Sequence, residues 1–337
     1  MERPTTDFSG IQTVMMNTLA FQAILECVRL KAFDAFEART VSAADFAEQQ
    51  GFLLTQTEGL LDMLSAYGLL EKSDRGYSNT RLSSEHLVTT STLYQGRSLQ
   101  LHSRFNASMI SDISGFLKGR PDARTSCDDN WALRDTLEGT AAHARLGALQ
   151  DTVDFAAALP GFPSMRSMCD IGGNHGEFSM SLLARNPHLR GVIADLPEVT
   201  KTANEYIAEK GYADRLRAVP CDLRKDALPE GEYDLVLTSH VLYAFMDDLA
   251  SLFVGIRKSL TPGGWFVAQH MDPDGGDPLE YSSTVNFCAT MAGYETHQIG
   301  RDRLERELAG AGFTGFRCAP AGLRGGGLIV AAQRPVE

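Results

Sequence analysis

Cys169-Asp170-Ile171-Gly172-Gly173-Asn174-His175-Gly176-Glu177 decides the reading of this chain. The stretch closes a short apolar run, Met168–Ile171, and leads into an amphipathic segment. Its glycines let the backbone turn sharply and come close to a ligand. The helix expected to start near Glu177–Ser179 would aim its first free N–H groups at that ligand. A glycine-rich turn of this kind also serves dinucleotides. Here the spacing is D-x-G-G-x-x-G, not G-x-G-x-x-G, with an acid ahead of the first glycine. A pyrophosphate needs bare backbone, whereas a cationic amino-acid end is better served by a carboxylate such as Asp170.

Downstream, the same rhythm repeats. Apolar runs at Gly191–Asp195, Leu216–Cys221, Leu235–Ser239 and Trp265–Gln269 alternate with amphipathic segments. Strand alternating with helix predicts a mostly parallel, doubly wound sheet. A last pair, Phe313–Cys318 and Leu328–Ala332, flanks a glycine-rich turn with no helix between. It predicts one antiparallel strand at the end. Asp195 closes the second run, 25 residues beyond Asp170, where an acid accepts from both hydroxyls of a ribose. Asp222 follows the third run and can accept from an exocyclic amine such as that of adenine. Strand-end aspartates also act as caps and turn formers. Three at successive strand ends, beside the glycines, fit an adenosine with an amino-acid tail.

The first third reads differently. Phe21, Ile24, Leu25, Val28 and Ala32 recur at helical spacing. Ser42 caps an expected helix Ala43–Gln49 closed by Gly51, and Thr55 caps the next, with Leu60, Leu61, Leu64 and Tyr67 inward and Gly68 at its end. Leu69–Lys72, a turn at Ser73–Gly76 and Tyr77–Thr80 predict a two-stranded wing. Three helices and a wing make the winged-helix pattern. Residues from about 95 to 155 read as further helix, broken at Gly119-Arg120-Pro121 and at Thr125–Asn130. Leu159–Pro163 reads as a linker. The domain expectation is a winged-helix domain at 1–95, a helical connector at 96–158 and a ligand-binding domain at 159–337.

Composition sets limits on partners. The 337 residues carry a net charge of −12, which disfavours nucleic acid and anionic membrane surfaces. The first hundred residues hold 8 Lys+Arg against 12 Asp+Glu, so the winged helix lacks the basic face of a DNA-binding regulator. The apolar run Thr18–Leu30 is broken by Gln22, Glu26 and Arg29, and no stretch is expected to span a bilayer. Cys27, Cys127, Cys169, Cys221, Cys288 and Cys318 form no C-x-x-C pair, so neither zinc nor disulfides are expected and a reduced, cytoplasmic protein is. His86, His102, His143, His175 and His188 have no metal-ligand spacing, and no metal is assigned.

With these residues in view, the chain resembles the plant-type O-methyltransferases over nearly its whole length. The resemblance rests on Asp170–Gly176, Asp195-Leu196-Pro197, the segment Gly211 to Arg215, Leu260-Thr261-Pro262-Gly263-Gly264 and Gly310-Ala311-Gly312-Phe313. It implies a class I methyltransferase fold, α/β with a seven-stranded Rossmann-like sheet whose last strand is antiparallel. It further implies a mostly helical dimerisation domain ahead of that fold and an intertwined homodimer. The implied cofactor is S-adenosylmethionine, leaving as S-adenosylhomocysteine. Asp170, Gly172, Gly173, Gly176, Asp195, Leu196, Cys221, Asp222, Leu223, Ser239 and His240 are its implied contacts.

One departure bears on chemistry. Where this family commonly places a general-base histidine after the fourth strand, the chain reads His240-Val241-Leu242-Tyr243, with Tyr243 in that place. The family's two supporting acids fall at His270 and near Gln298. Tyrosine titrates near ~10 and is a better donor than base. Two readings follow. His270 or His297 is a displaced base, or the acceptor needs none, as with a thioether sulfur, an enolised carbon or an acidic hydroxyl. The Leu-Tyr pair is also similar to a family branch that methylates carbon on bacteriochlorophyll precursors. Tyr243, His270 and His297 are the catalytic candidates, with core packing as the alternative for Tyr243. A family member that keeps the cofactor site for decarboxylation, hydroxylation or pericyclic chemistry is the other enzymatic reading. A nicotinamide enzyme is disfavoured by the Asp170–Gly176 spacing. A substrate pocket is expected between the two domains, and the resemblance implies that its wall comes from the helix around His102–Met109 and from Phe287–Tyr294. Arg104 is the candidate partner of an anionic group, or a solvated surface arginine. His102, Met291 and Tyr294 are further candidate contacts, the last two equally suited to a core.

Overall fold

The computed structural model describes residues 2–119, 130–229 and 232–336, so Cys127 and most of the Thr125–Asn130 stretch lie outside the described residues. The chain divides into two compact units, Met1–Ser103 and Arg104–Glu337. The expected connector at 96–158 is shared between them, because the division falls inside one helix, Gly96–Ser111.

In the first unit, α1 (Ser9–Arg29), α2 (Ala43–Gln50), α3 (Leu54–Ala66) and the hairpin β1 (Leu70–Ser73)–β2 (Gly76–Asn79) precede α4 (Arg81–His86). Ser42 accepts from the Asp45 N–H and Gly51 closes α2 in the left-handed region, as its sequence demands. Val28, Phe33, Phe36, Phe46, Leu61, Leu64 and Tyr77 form the core. Two local expectations fail. The helix starts at Leu54, so Thr55 lies inside its first turn and caps nothing. Tyr67 follows the last residue of α3 and leaves its inward stripe. It is exposed and donates to Asn17 Oδ1 at 2.6 Å.

The expectation that no segment is long enough to span a bilayer also fails on length and composition. α1 is 21 residues, and its charged residues are confined to its last four positions. The uncharged run therefore extends from Phe8 to Leu25. Length and composition alone make the helix long and apolar enough to cross a bilayer, a property that core helices share. Phe8, Ile11, Val14, Met15 and Leu19 are all more than half exposed within this chain.

The second unit holds α5 (Gly96–Ser111, in part), α6 (Ile113–Leu117), α7 (Arg134–Ala144) and α8 (Ala148–Ala157) before its sheet. Then follow β3 (Ser167–Ile171), α9 (Glu177–Arg185), β4 (Arg190–Asp195), α10 (Pro197–Glu209), β5 (Leu216–Pro220), β6 (Tyr233–Ser239), α11 (Leu249–Ser259), β7 (Leu260–Met271), α12 (Leu279–Met291), α13 (Arg301–Gly310), β8 (Thr314–Ala321) and β9 (Gly327–Gln333). The seven-stranded sheet has the order β5-β4-β3-β6-β7-β9-β8. Only β9 runs against the others, as the closing strand pair predicts.

Both faces of the sheet are buried, and the two-residue period of a strand sorts side chains between them. Leu235, Leu237, Trp265, Val267, Ile329 and Ala331 pack one way, with α8, α9 and α10. Val236, Phe266, Ala268, Val330 and Ala332 pack the other way, with α11 and α13. Phe253 packs against Phe266 in the second layer, with ring centroids 5.7 Å apart and planes tilted by 54°. Burial of each such ring is worth roughly 1.5–3 kcal/mol. Leu159–Pro163 is no linker: Leu159 and Phe162 are buried in the first layer. β3, β4, β5 and β6 all end on the same edge, because they are parallel and in register. That edge brings Asp170, Asp195, Asp222 and His240 together.

Candidate active site

The bend after β3 takes positive φ at Gly172 (65°), Asn174 (39°) and Gly176 (68°). A Cβ at residue 173 would lie 2.6 Å from the Asp170 carboxyl carbon. A side chain there would close the space over Asp170. A Cβ at residue 172 would meet Val241 at 2.5 Å. Steric demand, not only flexibility, therefore fixes glycine at both places.

Asp170 is fully buried. Its Oδ2 accepts from Ser179 Oγ at 2.7 Å, and its Oδ1 has no partner among the described residues. Burial raises its pKa to about 7, although Ser179 opposes the shift. An unpartnered buried carboxylate oxygen is costly unless a ligand satisfies it. A cationic ammonium fits that role.

Asp195 is held from two sides. Its Oδ2 accepts from the Asn174 N–H and its Oδ1 from the Leu196 N–H, both at 2.8 Å. Each oxygen keeps a second lone pair for a hydroxyl. Burial raises this group to about 6. Cys221 is buried just beyond β5, and its N–H reaches the Asp195 carbonyl at 2.7 Å. Asp222 sits in a different electrostatic setting. Arg224 clamps it through Nε and Nη2 at 2.7 and 3.1 Å, and Lys225 approaches to 3.1 Å. The hydrogen bond from Arg224 leads in lowering it to about 2. It is the one of the three acids that is firmly ionised at neutral pH. Half-buried Leu223 follows it in the chain.

One detail of the expected helix terminus changes. The Glu177 N–H is not free, because buried His175 accepts from it through Nδ1 at 3.0 Å. The histidine lies in the same turn, and no pattern of residues marks it as a cap. Ser179 donates from the first turn of α9, and only the fold reveals that contact.

The residues after β6 build the other half of the site. The His240 N–H bonds the Gln269 carbonyl at 2.9 Å, and Ser239 Oγ bonds Gln269 Oε1 at 2.8 Å. His240 has φ +52°, a strained conformation for a residue other than glycine. A bridge from Met271 to Gln298 brings the 296–298 segment beside the end of β7. Asn286 on α12 holds that segment, accepting from Thr296 Oγ1 at 2.7 Å and from the His297 N–H at 3.0 Å. His297 Nε2 then lies 3.3 Å from His240 Nδ1. The Tyr243 ring stacks on His297 at 4.4 Å, and Tyr294 meets Tyr243 edge-on at 4.8 Å.

Tyr243, His297, Tyr294 and His240 thus form one aromatic cluster. His270 is buried at the end of β7. Its Nδ1 lies 3.0 Å from the Met271 carbonyl oxygen and its Nε2 has no partner among the described residues. Burial lowers all three imidazoles, His297 to about 4. They are neutral at physiological pH.

The remaining candidates make local contacts of their own or are buried in their own elements. Arg104 Nη2 donates to Thr136 Oγ1 at 2.7 Å and its Nη1 lies 4.0 Å from Asp135, so its charge is already engaged. His102 falls in the first unit, with Nδ1 2.8 Å from the Ser98 carbonyl oxygen. Met291 is buried at the end of α12. Among the described residues, no three His, Cys, Asp or Glu side chains gather as a metal-binding group.

Two family models match the chain. An O-methyltransferase domain covers residues 145–314 and an O-methyltransferase dimerisation domain covers residues 14–89. The 3-hydroxy-5-methyl-1-naphthoate 3-O-methyltransferase of Streptomyces sahachiroi is 28% identical over 275 residues, covering 77% of this chain and 76% of its own. The tetracenomycin polyketide synthesis 8-O-methyl transferase of Streptomyces glaucescens is 25% identical, covering 93% and 94%. Human N-acetylserotonin methyltransferase, solved with its cofactor, is 20% identical, covers 99% of this chain and all of its own, and superposes with a TM-score of 0.79. That last likeness shows the fold.

Proposed function

Since the chain belongs to the O-methyltransferase family, we propose that it moves the methyl group of S-adenosylmethionine onto a hydroxyl of a small aromatic molecule. The observation that carries this reading is the glycine bend over Asp170, whose buried Oδ1 is unpartnered. Asp170 would take the cofactor's amino-acid end, Asp195 its ribose, and the Asp222 region its adenine. When bound, the cofactor supplies an electrophilic methyl carbon on a sulfonium. The chain's own part is to hold the acceptor and take its proton.

An aromatic acceptor suits the ring cluster of Tyr243, Tyr294 and His297, and the relatives named above act on a naphthoate and a polyketide. His297 is the proposed base, neutral and within the cluster, with Tyr243 orienting the acceptor oxygen. Incubation with S-adenosylmethionine and a panel of hydroxynaphthoates should yield S-adenosylhomocysteine and a product heavier by one methylene, read by mass spectrometry. Tight S-adenosylhomocysteine binding without turnover of any hydroxyarene would instead point to carbon, sulfur or non-methyl-transfer chemistry. Tyr243→Phe keeps the ring stack but removes the hydroxyl. It should lower kcat roughly tenfold, the worth of one hydrogen bond, with S-adenosylhomocysteine affinity unchanged by calorimetry.

We also propose a homodimer through the dimerisation domain. The exposed apolar row of α1 supports this, because such a surface is costly in water. Met15→Glu together with Leu19→Glu should turn a dimeric mass in light scattering into a monomeric one. A dimer that persists would remove α1 from the interface.

A further inference from the structure

We propose that His240 is a positioning residue for methyl transfer. It would pair with His297 so that two neutral imidazoles accept the acceptor's proton as one unit. The proposal rests on the hydroxyl-acceptor reading above and names a residue that reading does not use. Two independent observations carry it. One is the 3.3 Å approach of His297 Nε2 to His240 Nδ1. The other is the left-handed backbone of His240, φ +52°, fixed by its N–H bond to Gln269. That strain has a cost, and it aims an imidazole at its partner 57 residues away in sequence.

A single hydrogen bridges the two rings. With it on His297 Nε2, the His297 Nδ1 is bare and the His240 Nε2 carries the second proton. The acceptor's O–H bond breaks as its proton joins His297 Nδ1. The bridging proton passes to His240 Nδ1, and the charge is shared across both rings. The oxygen's electron pair forms the new O–C bond as the carbon–sulfur bond breaks. His297 Nδ1 then releases the acceptor's proton to water as the bridging proton moves back from His240 Nδ1 to His297 Nε2, so both starting tautomers are restored and one proton is released per methyl transferred. A lone, desolvated imidazole would have to hold the full charge by itself. Sharing lowers that cost in a buried site. His143 and His270 are the other titratable groups acting on the pair, and Tyr243 stacks against it.

The first test does not depend on turnover. Histidine ring nitrogen-15 spectra of the protein saturated with S-adenosylhomocysteine should show His297 with Nδ1 bare and Nε2 protonated. Rings His240 and His297 should titrate along one shared curve. His240→Asn suits the left-handed backbone and can still hydrogen-bond His297, but it cannot pass a proton. In that variant His297 should lose its single tautomer. Separate titration curves in the unaltered protein, or an unchanged His297 tautomer in His240→Asn, would overturn the pair.

The second test is kinetic. With a hydroxynaphthoate acceptor, His240→Asn should lower kcat about a hundredfold, with KM changed less than about threefold. More acidic, halogenated hydroxynaphthoates should recover most of the loss, since they ionise without help. A merely structural role for His240 would lower every acceptor alike and would overturn the proposal. If no hydroxyarene turns over in the unaltered protein, the acceptor reading fails. The nitrogen-15 result then decides the pair on its own.

Discussion

Replacing Asp170 with asparagine should weaken S-adenosylhomocysteine binding about ten- to a hundredfold and abolish most of its pH dependence. The size follows from one charge-assisted hydrogen bond lost in a buried site, roughly 1.5–3 kcal/mol. The pH dependence follows from where this carboxyl titrates. Burial sets Asp170 near 7, so it is largely neutral in mildly acidic solution. The ammonium of the ligand requires it ionised. Affinity should therefore fall as pH drops below about 7, approaching tenfold per unit, and binding near pH 6 should release a proton. Calorimetry in two buffers of different ionisation enthalpy reads both quantities. Asparagine has no proton to lose, so its affinity curve should be nearly flat over that range. A pH-independent affinity in the unaltered protein would remove Asp170 from the ammonium site.

The same carboxyl affects stability with a definite sign. Its folded pKa lies above the ordinary value of 3.8. Its contribution is therefore fully present below about pH 4 and is lost as pH rises toward 7. Asp195, raised to about 6, acts in the same direction over a narrower window. Asp222, lowered to about 2 by Arg224, acts the opposite way, and its contribution is lost only in strong acid. Without cofactor, the two buried acids thus favour the folded state less at pH 8 than at pH 5. S-adenosylhomocysteine should raise the melting temperature by several degrees more at pH 8 than at pH 5.5.

The geometry of the proposed cofactor half of the site was legible because its logic is local. The glycines, Asp170 and the start of α9 lie within a few residues of one another, and a steric rule links them. Asp195 and Asp222 could be placed because parallel strands in register end on one edge. The acceptor half had no such local rule. His240 meets His297 only because the Met271–Gln298 bridge sets the loop against β7 and because Asn286 anchors it from α12. None of those contacts leaves a periodic trace. The resemblance makes His240 only a contact of the cofactor, since nothing in His240-Val241-Leu242-Tyr243 says which way its ring points. The misplaced Thr55 cap has a related cause: helix starts compete over one or two residues, and tertiary packing chooses. The window Thr18–Leu30 takes in Glu26 and Arg29 at the end of α1 and leaves out most of its uncharged half.

Among the three catalytic candidates, His297→Ala should have the largest effect, lowering kcat about 10²- to 10⁴-fold at pH 7 while S-adenosylhomocysteine affinity stays within about twofold. Its ring is the one that touches both His240 and Tyr243, so its loss removes the base and the surface on which Tyr243 stacks. The alternative base, His270, is placed differently. Its Nδ1 is committed to the Met271 carbonyl, and its Nε2 is buried without a partner among the described residues. His270→Ala should lower turnover as well, by displacing the end of β7 against which the His297 loop lies. It should also lower the melting temperature, because truncating a buried ring leaves a cavity. The two variants separate on acceptor acidity. An acidic hydroxynaphthoate should recover activity in His297→Ala, where a base is missing. It should not recover activity in His270→Ala, where geometry is disturbed. Recovery in His270→Ala alone would transfer the base to His270 and leave His297 as part of the acceptor's aromatic wall.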